Sequence, residues 1–135
     1  MDQLTIPVFD QLEILNLNNN NITDDDFYCF SQLLIKRNHF TLKQLFLKNN
    51  HISSNSLISF CIAISNGTLY QLEKLDISYN SISFNGIQSL VICIQQNNLP
   101  KLYYCDCNHN SLNSRESQDI RSSVLPYISC LSFYI

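Results

Sequence analysis

Three groups of residues in this chain of 135 could do chemistry. Cys105, Cys107 and His109 form a C-x-C-x-H string, and thiolate and imidazole groups at short spacing are metal ligands. Asp76 and Asp106 stand 30 residues apart. If folding brings them together, like charges would repel and raise a pKa, as in an acid/base pair. Phe46, Tyr79 and Tyr104, interleaved with Lys48 and Lys74, are side chains of the kind that anchor protein interfaces. The chain has no G-x-S-x-G, no H-E-x-x-H and no phosphate-cradling glycine loop, and it holds only two glycines. His39, His51 and His109 are scattered, so no nucleophile–base pair follows from their spacing. What the three groups can do depends on the elements that position them.

Those elements repeat. The string L-x-x-L-x-[LIC]-x-x-N-x-[IL] occurs as Leu12-Leu15-Leu17-Asn20-Ile22 and Leu42-Leu45-Leu47-Asn50-Ile52. It returns as Leu72-Leu75-Ile77-Asn80-Ile82 and Leu102-Cys105-Cys107-Asn110-Leu112, each copy 30 residues after the last. A fixed period of this size specifies a solenoid. The second and third apolar positions are two apart, so they face one side of a short strand. The asparagine follows where the chain leaves that strand. Its amide both donates and accepts, so stacked copies can bond backbone groups that the turn leaves unpaired. Asn20, Asn50, Asn80 and Asn110 are expected to form a buried ladder.

After each copy the apolar period lengthens to that of a helix. The stripes are Phe27, Phe30, Leu33, Leu34; Leu57, Phe60, Ala63, Ile64; and Ile87, Leu90, Cys93, Ile94. A weaker fourth comprises Ser117, Ile120, Ser123 and Val124. Thr23 before Asp24, Asp25 and Asp26 suits a helix start. Ser53 and Ser54 are expected to serve in the second repeat, and Asn85 in the third. Each unit is thus a strand, a turn and a helix that cannot bury its own apolar face. Stacking buries it.

These motifs resemble leucine-rich repeats of the long, ribonuclease-inhibitor-like type, over roughly residues 9–125. The resemblance implies an α/β fold with a curved parallel sheet on the concave side and α-helices on the convex side. About four repeats begin near residues 12, 42, 72 and 102 of one domain spanning 1–135. Residues 1–11 would form a partial cap, and Cys130, Phe133 and Ile135 restart the strand pattern in a partial repeat over 126–135. Members of the family include ribonuclease inhibitor, sensor regions of NOD-like receptors, Ran GTPase-activating protein and tropomodulin. A small residue, often glycine, is usual near the helix start in the family. Only Gly86 fits, while Asp26, Ser56 and Glu116 occupy the matching places.

The register then sorts the reactive groups. Cys105 and Cys107 take inward positions and become core, where cysteine packs as a small apolar residue. His109 falls in the turn, matching Asn49 and Tyr79. The sites between inward residues line the concave face. They are Ile14, Gln44, Lys74, Tyr104; Asn16, Phe46, Asp76, Asp106; and Asn18, Lys48, Ser78, Asn108, beside a turn row of Asn19, Asn49, Tyr79 and His109. Asp76 and Asp106 on adjacent strands read as a solvated acidic patch suited to a basic partner. The expected partner-binding residues are Phe46, Tyr104, Lys74, Asp76, Asp106, Lys48, Tyr79 and His109.

Bulk properties bound the partners. The chain is 45% hydrophobic and 14% charged, with net charge −3 and no basic cluster. This argues against electrostatic binding of nucleic acid or an anionic membrane. The N-terminus lacks the basic and apolar regions of a secretory signal. The six cysteines show no disulfide framework, which fits a reducing, cytoplasmic setting. The reading is a non-catalytic, cofactor-free module that binds a protein on its concave face, with self-association through exposed solenoid ends as a second contact. The resemblance adds two alternatives, a GTPase activator like the Ran-specific one and a piece of a NOD-like-receptor-type sensor.

Overall fold

The computed structural model describes residues 11–36, 40–127 and 132–135. Residues 1–10 of the expected cap, His39, and Cys130 of the restarted strand pattern lie outside them. Strands β1 (Ile14–Asn16), β2 (Gln44–Phe46), β3 (Lys74–Asp76), β4 (Tyr104–Asp106) and β5 (Ser132–Tyr134) alternate with helices α1 (Asp24–Ile35), α2 (Ser54–Ile64), α3 (Phe84–Gln95) and α4 (Ser114–Val124). A 3-10 turn, Leu125–Tyr127, follows α4. The strands form one parallel sheet in chain order. Leu15, Leu45, Leu75, Cys105 and Phe133 stand side by side across it. The fold is an α/β leucine-rich-repeat solenoid of about four repeats.

The core lies between sheet and helices. Leu45, Leu75 and Cys105 from the strands meet Leu57, Phe60, Ile64, Ile87 and Leu90 from the helices, all completely buried. Each such aliphatic or aromatic side chain contributes about 1.5–3 kcal/mol. Phe27 and Phe60 stack at 5.0 Å, tying α1 to α2.

The helix starts reveal a rule that the sequence alone hid. Position 24 of one repeat reaches the cap residue of the next. Asp24 accepts from the Ser53 amide (2.8 Å) and hydroxyl (2.5 Å), and from the Ser56 hydroxyl (2.5 Å). One repeat later, Ser54 Oγ accepts from the Ser83 amide at 2.9 Å. The caps Ser53 and Ser83 therefore make no cap bond within their own helices. Where no such bond from the preceding repeat is seen among the described residues, the helix caps itself. Thr23 forms a capping box with Asp26, and Asn113 one with Glu116, because Phe84 occupies the linking position before it. This explains the departure at the glycine-type position: Asp26 and Glu116 close boxes, and Ser56 bonds Asp24. Gly86 must stay small, since a Cβ there would lie 2.7 Å from Ser54 Oγ and 2.9 Å from Ser54 Cα. The third cap is Ser83, not Asn85. Asn85 sits inside the first turn because the chain enters the helix one bond after Ser83.

The asparagine ladder links repeats along the other margin. Asn50 Oδ1 accepts from the amides of Asn20 (3.0 Å) and Ile22 (2.9 Å) in the preceding repeat. Its Nδ2 donates to the carbonyls of Leu17 and Leu47, both at 2.9 Å. Asn80 joins Ile52 to Leu47 and Ile77 in the same way, and Asn110 joins Ile82 to Ile77 and Cys107. The expectation of a fully buried ladder holds only at Asn50, which is 5% exposed. Asn80 and Asn110 are half-buried, and Asn20 is exposed and bonds only the Asn18 carbonyl, having no earlier repeat beneath it among the described residues.

Two outcomes follow. Asn50→Ala strands four backbone groups and is expected to cost about 3 kcal/mol in chemical denaturation, whereas Asn20→Ala should cost less than about 1 kcal/mol. Equal losses would contradict the ladder's direction. Burial tends to raise the Asp24 carboxyl, but the bonds from the Ser53 hydroxyl, the Ser56 hydroxyl and the Ser53 amide outweigh it and hold the group below 3.8. A lowered folded pKa means its stabilisation is complete above the unfolded value and is lost as pH falls through the folded one. Asp24→Asn should therefore lower the midpoint of unfolding at neutral pH and close the gap to the parent below 3.8. A gap that persists unchanged under strong acid would assign the effect to packing.

Candidate functional site

The sheet face is built by alternation. Leu45, Leu75 and Cys105 point inward, so the residues on either side of each point out. One row reads Ile14, Gln44, Lys74, Tyr104 and Ser132; the next reads Asn16, Phe46, Asp76, Asp106 and Tyr134. Lys74, Tyr104, Phe46, Asp76 and Asp106 are half-buried by their neighbours, while Lys48, Tyr79 and His109 are exposed. The structure thus brings the eight expected residues onto one face and its rim. Ser78 was expected on this face as well, yet it is buried because its hydroxyl turns to Asp76 Oδ1 at 2.6 Å.

The acidic pair has a structural duty that leaves its charge free. Asp76 Oδ1 accepts the Ser78 amide and Asp106 Oδ1 the Asn108 amide, both at 2.9 Å, closing the turn after each strand. Asn16 does the same with the Asn18 amide at 3.0 Å. A neutral amide therefore fulfils the turn role as well as a carboxylate. In the second repeat Phe46 cannot, and Asn18 Oδ1 accepts the Lys48 amide instead at 2.7 Å. The Tyr104 hydroxyl lies 3.5 Å from Asp106 Oδ2. Burial, then the Asp106 and Asp76 charges, raise the Tyr104 phenol above 10 and keep it a neutral donor. Among the described residues the ion pair is Lys43–Glu13 (3.1 Å). Lys74 Nζ instead sits over the Tyr103 ring, 5.8 Å from its centroid.

The turn row carries strain. Asn19, Asn49, Tyr79 and His109 all adopt left-handed backbone, with φ between 55° and 59°. Asparagine, and to a lesser degree histidine, tolerates this, but tyrosine rarely does. Asn49 bonds Asn19 side chain to side chain at 2.7 Å, whereas Tyr79 and His109 stack with ring centroids 4.1 Å apart. Lys48 Nζ lies 5.2 Å from the Tyr79 centroid. The result is a cation–aromatic ridge along the edge of the sheet face.

The C-x-C-x-H string does not converge. Cys105 and Cys107 project into the core with sulfurs 3.7 Å apart, and His109 stacks outward on Tyr79. Contact with the Cys105 thiol, and then complete burial, hold the Cys107 thiol well above its ordinary range, the opposite of what a thiolate ligand or nucleophile requires. Of the helix cysteines, Cys61 and Cys93 are buried and Cys29 is exposed.

Sequence reasoning missed two features. Tyr134 on β5 tilts against Tyr104 at 5.6 Å and extends the aromatic face by one strand. Its signal was there, between Phe133 and Ile135 of the restarted strand pattern, but the rows of the face are read only across the four full repeats. The helix side also has a shallow groove lined by Ile58, Cys61, Ile62, Ile92 and Cys93. Ile62 there is 66% exposed.

Replacing both Tyr79 and His109 with asparagine puts at these left-handed positions the residue type found at Asn19 and Asn49, and forfeits a stack worth about 1 kcal/mol. The double variant is expected to melt no lower than the parent. A loss above about 1 kcal/mol would give the ridge a structural rather than a binding role.

A profile described as Leucine Rich Repeat matches residues 11–33 and 71–93, which carry the strand, asparagine turn and helix of the first and third repeats. No curated protein matches the chain in sequence. Among solved structures the chain is similar to one named Leiomodin-1 Actin-Binding Site 2. The TM-score is 0.74 and the identity 17%, over 93% of this chain and 72% of that one. At that identity the likeness concerns the fold. The repeated register, the asparagine ladder and these matches together give the chain the architecture of a leucine-rich repeat protein.

Proposed function

We propose that this chain is a non-catalytic module that receives a partner protein on its concave sheet face. The observation that carries the reading is the set of aromatic side chains there. Phe46 and Tyr104 on the strands, with Tyr79 on the rim and Tyr134 on β5, stand where core packing requires no aromatic. Such residues dominate the energetics of interfaces. Lys48, Lys74, Asp76, Asp106 and His109 supply the polar surroundings. The helix in each repeat supports the long, ribonuclease-inhibitor-like subtype, and the free cysteines among the described residues suit a reducing compartment. Actin is the first partner to try, because the similar structure is named as an actin-binding site. The GTPase-activator and sensor alternatives draw support from no feature of the described residues.

The test separates binding from folding. Phe46→Ala with Tyr104→Ala should cost less than about 1.5 kcal/mol of stability, against 2–5 kcal/mol for Leu47→Ala in the core. The same pair should weaken capture of a partner from the native cell, or of purified actin, by about tenfold or more. Undiminished capture, or a stability loss equal to that of Leu47→Ala, would overturn the reading.

A further inference from the structure

The geometry points to a basic side chain of the partner, seated over Asp76 and Asp106 between the rings of Phe46 and Tyr134. The inference rests on the concave-face reading and gives that partner its chemistry. Along one row of the sheet the order is Phe46, Asp76, Asp106, Tyr134, on four adjacent strands. Adjacent strands lie about 4.8 Å apart, so two carboxylates stand side by side with an aromatic ring at each flank. Tyr104, in the neighbouring row, lies beside the Asp106–Tyr134 end, its hydroxyl near Asp106 and its ring against Tyr134.

Three observations make this face complementary to a cation. First, one oxygen of each carboxylate is committed to a turn amide, which fixes the group's direction. Second, the neighbouring cations are turned elsewhere. Lys74 rests on Tyr103 and Lys48 on Tyr79, and no ion pair joins Asp76 or Asp106 to a described residue. Third, the residues at both flanks are aromatic; aromatic rings attract cations, and a planar guanidinium can stack on a ring while bonding a carboxylate. A solvated acidic patch alone would not need aromatic walls. The whole arrangement fits the long apolar stem and charged head of arginine or lysine.

Asn16 supplies the control. It holds the same turn bond in the first repeat with a neutral amide, so Asp76→Asn with Asp106→Asn removes charge and keeps the turns. The probe is a library of random peptides displayed on phage and selected against the intact chain. Enriched peptides should carry arginine or lysine beside apolar residues. Their binding to the double asparagine variant should fall about tenfold or more, the loss expected for a charge-assisted contact. Binding should fall likewise for Phe46→Ala with Tyr104→Ala, and thermal melts should show both variants folded. Enriched peptides without basic residues, or basic ones that bind the double asparagine variant equally, would overturn the charge assignment while leaving the concave face as a binding surface. Peptides that ignore Phe46→Ala with Tyr104→Ala as well would overturn both. Failure to enrich any peptide would also count against the inference.

Discussion

Each of the first three repeats leaves backbone groups at the end of its strand that the following repeat's asparagine satisfies. Asn50 serves Asn20, Ile22 and Leu17; Asn80 and Asn110 repeat the arrangement one and two units on. An unpaired buried amide or carbonyl costs about 1–3 kcal/mol, so a shift of period by one residue would strand several groups at every interface. This constraint locks the 30-residue spacing, keeps Leu45, Leu75 and Cys105 in line, and thereby fixes which side chains reach the open face.

The face inherits its properties from that registration. Residues aligned across strands stand one strand spacing apart and cannot be reached by the core, so their identity is free to serve a partner. Asp76 and Asp106 show the freedom. The turn needs only an acceptor at that position, as Asn16 demonstrates, yet the two adjacent repeats carry charge. Tyr79 shows it more strongly, since the left-handed turn suits Asn19 and Asn49 better. Strain of this kind persists where the surrounding structure holds it, and it clusters at functional positions.

Much of this was legible in the sequence. The period of two in Leu15-Leu17 and its copies predicts the strands, and the following asparagine predicts the ladder. The same register demotes Cys105 and Cys107 to core. What stayed hidden depended on the neighbouring repeat rather than on local pattern. Ser53 and Ser83 look like ordinary caps but are held by Asp24 and Ser54 of the unit before. Ser78 has the pattern of an exposed residue and is buried by its bond to Asp76. Asn20 carries the motif yet bonds no earlier repeat among the described residues. Tyr134 was missed although Phe133 and Ile135 placed it outward, because the rows of the face are read only across the four full repeats. The reactive face was therefore readable by rows, and its finer geometry was not.

The central claim is that cross-repeat asparagine bonds hold the sheet in register. Native-state hydrogen exchange measures it directly, because the amides of Ile22, Ile52 and Ile82 donate to those asparagines while Leu47 and Ile77 donate to strand carbonyls. The account requires Ile52 and Ile82 to exchange as slowly as Leu47 and Ile77, through opening of whole repeats. Rapid exchange at Ile52 and Ile82 beside protected strands would contradict it.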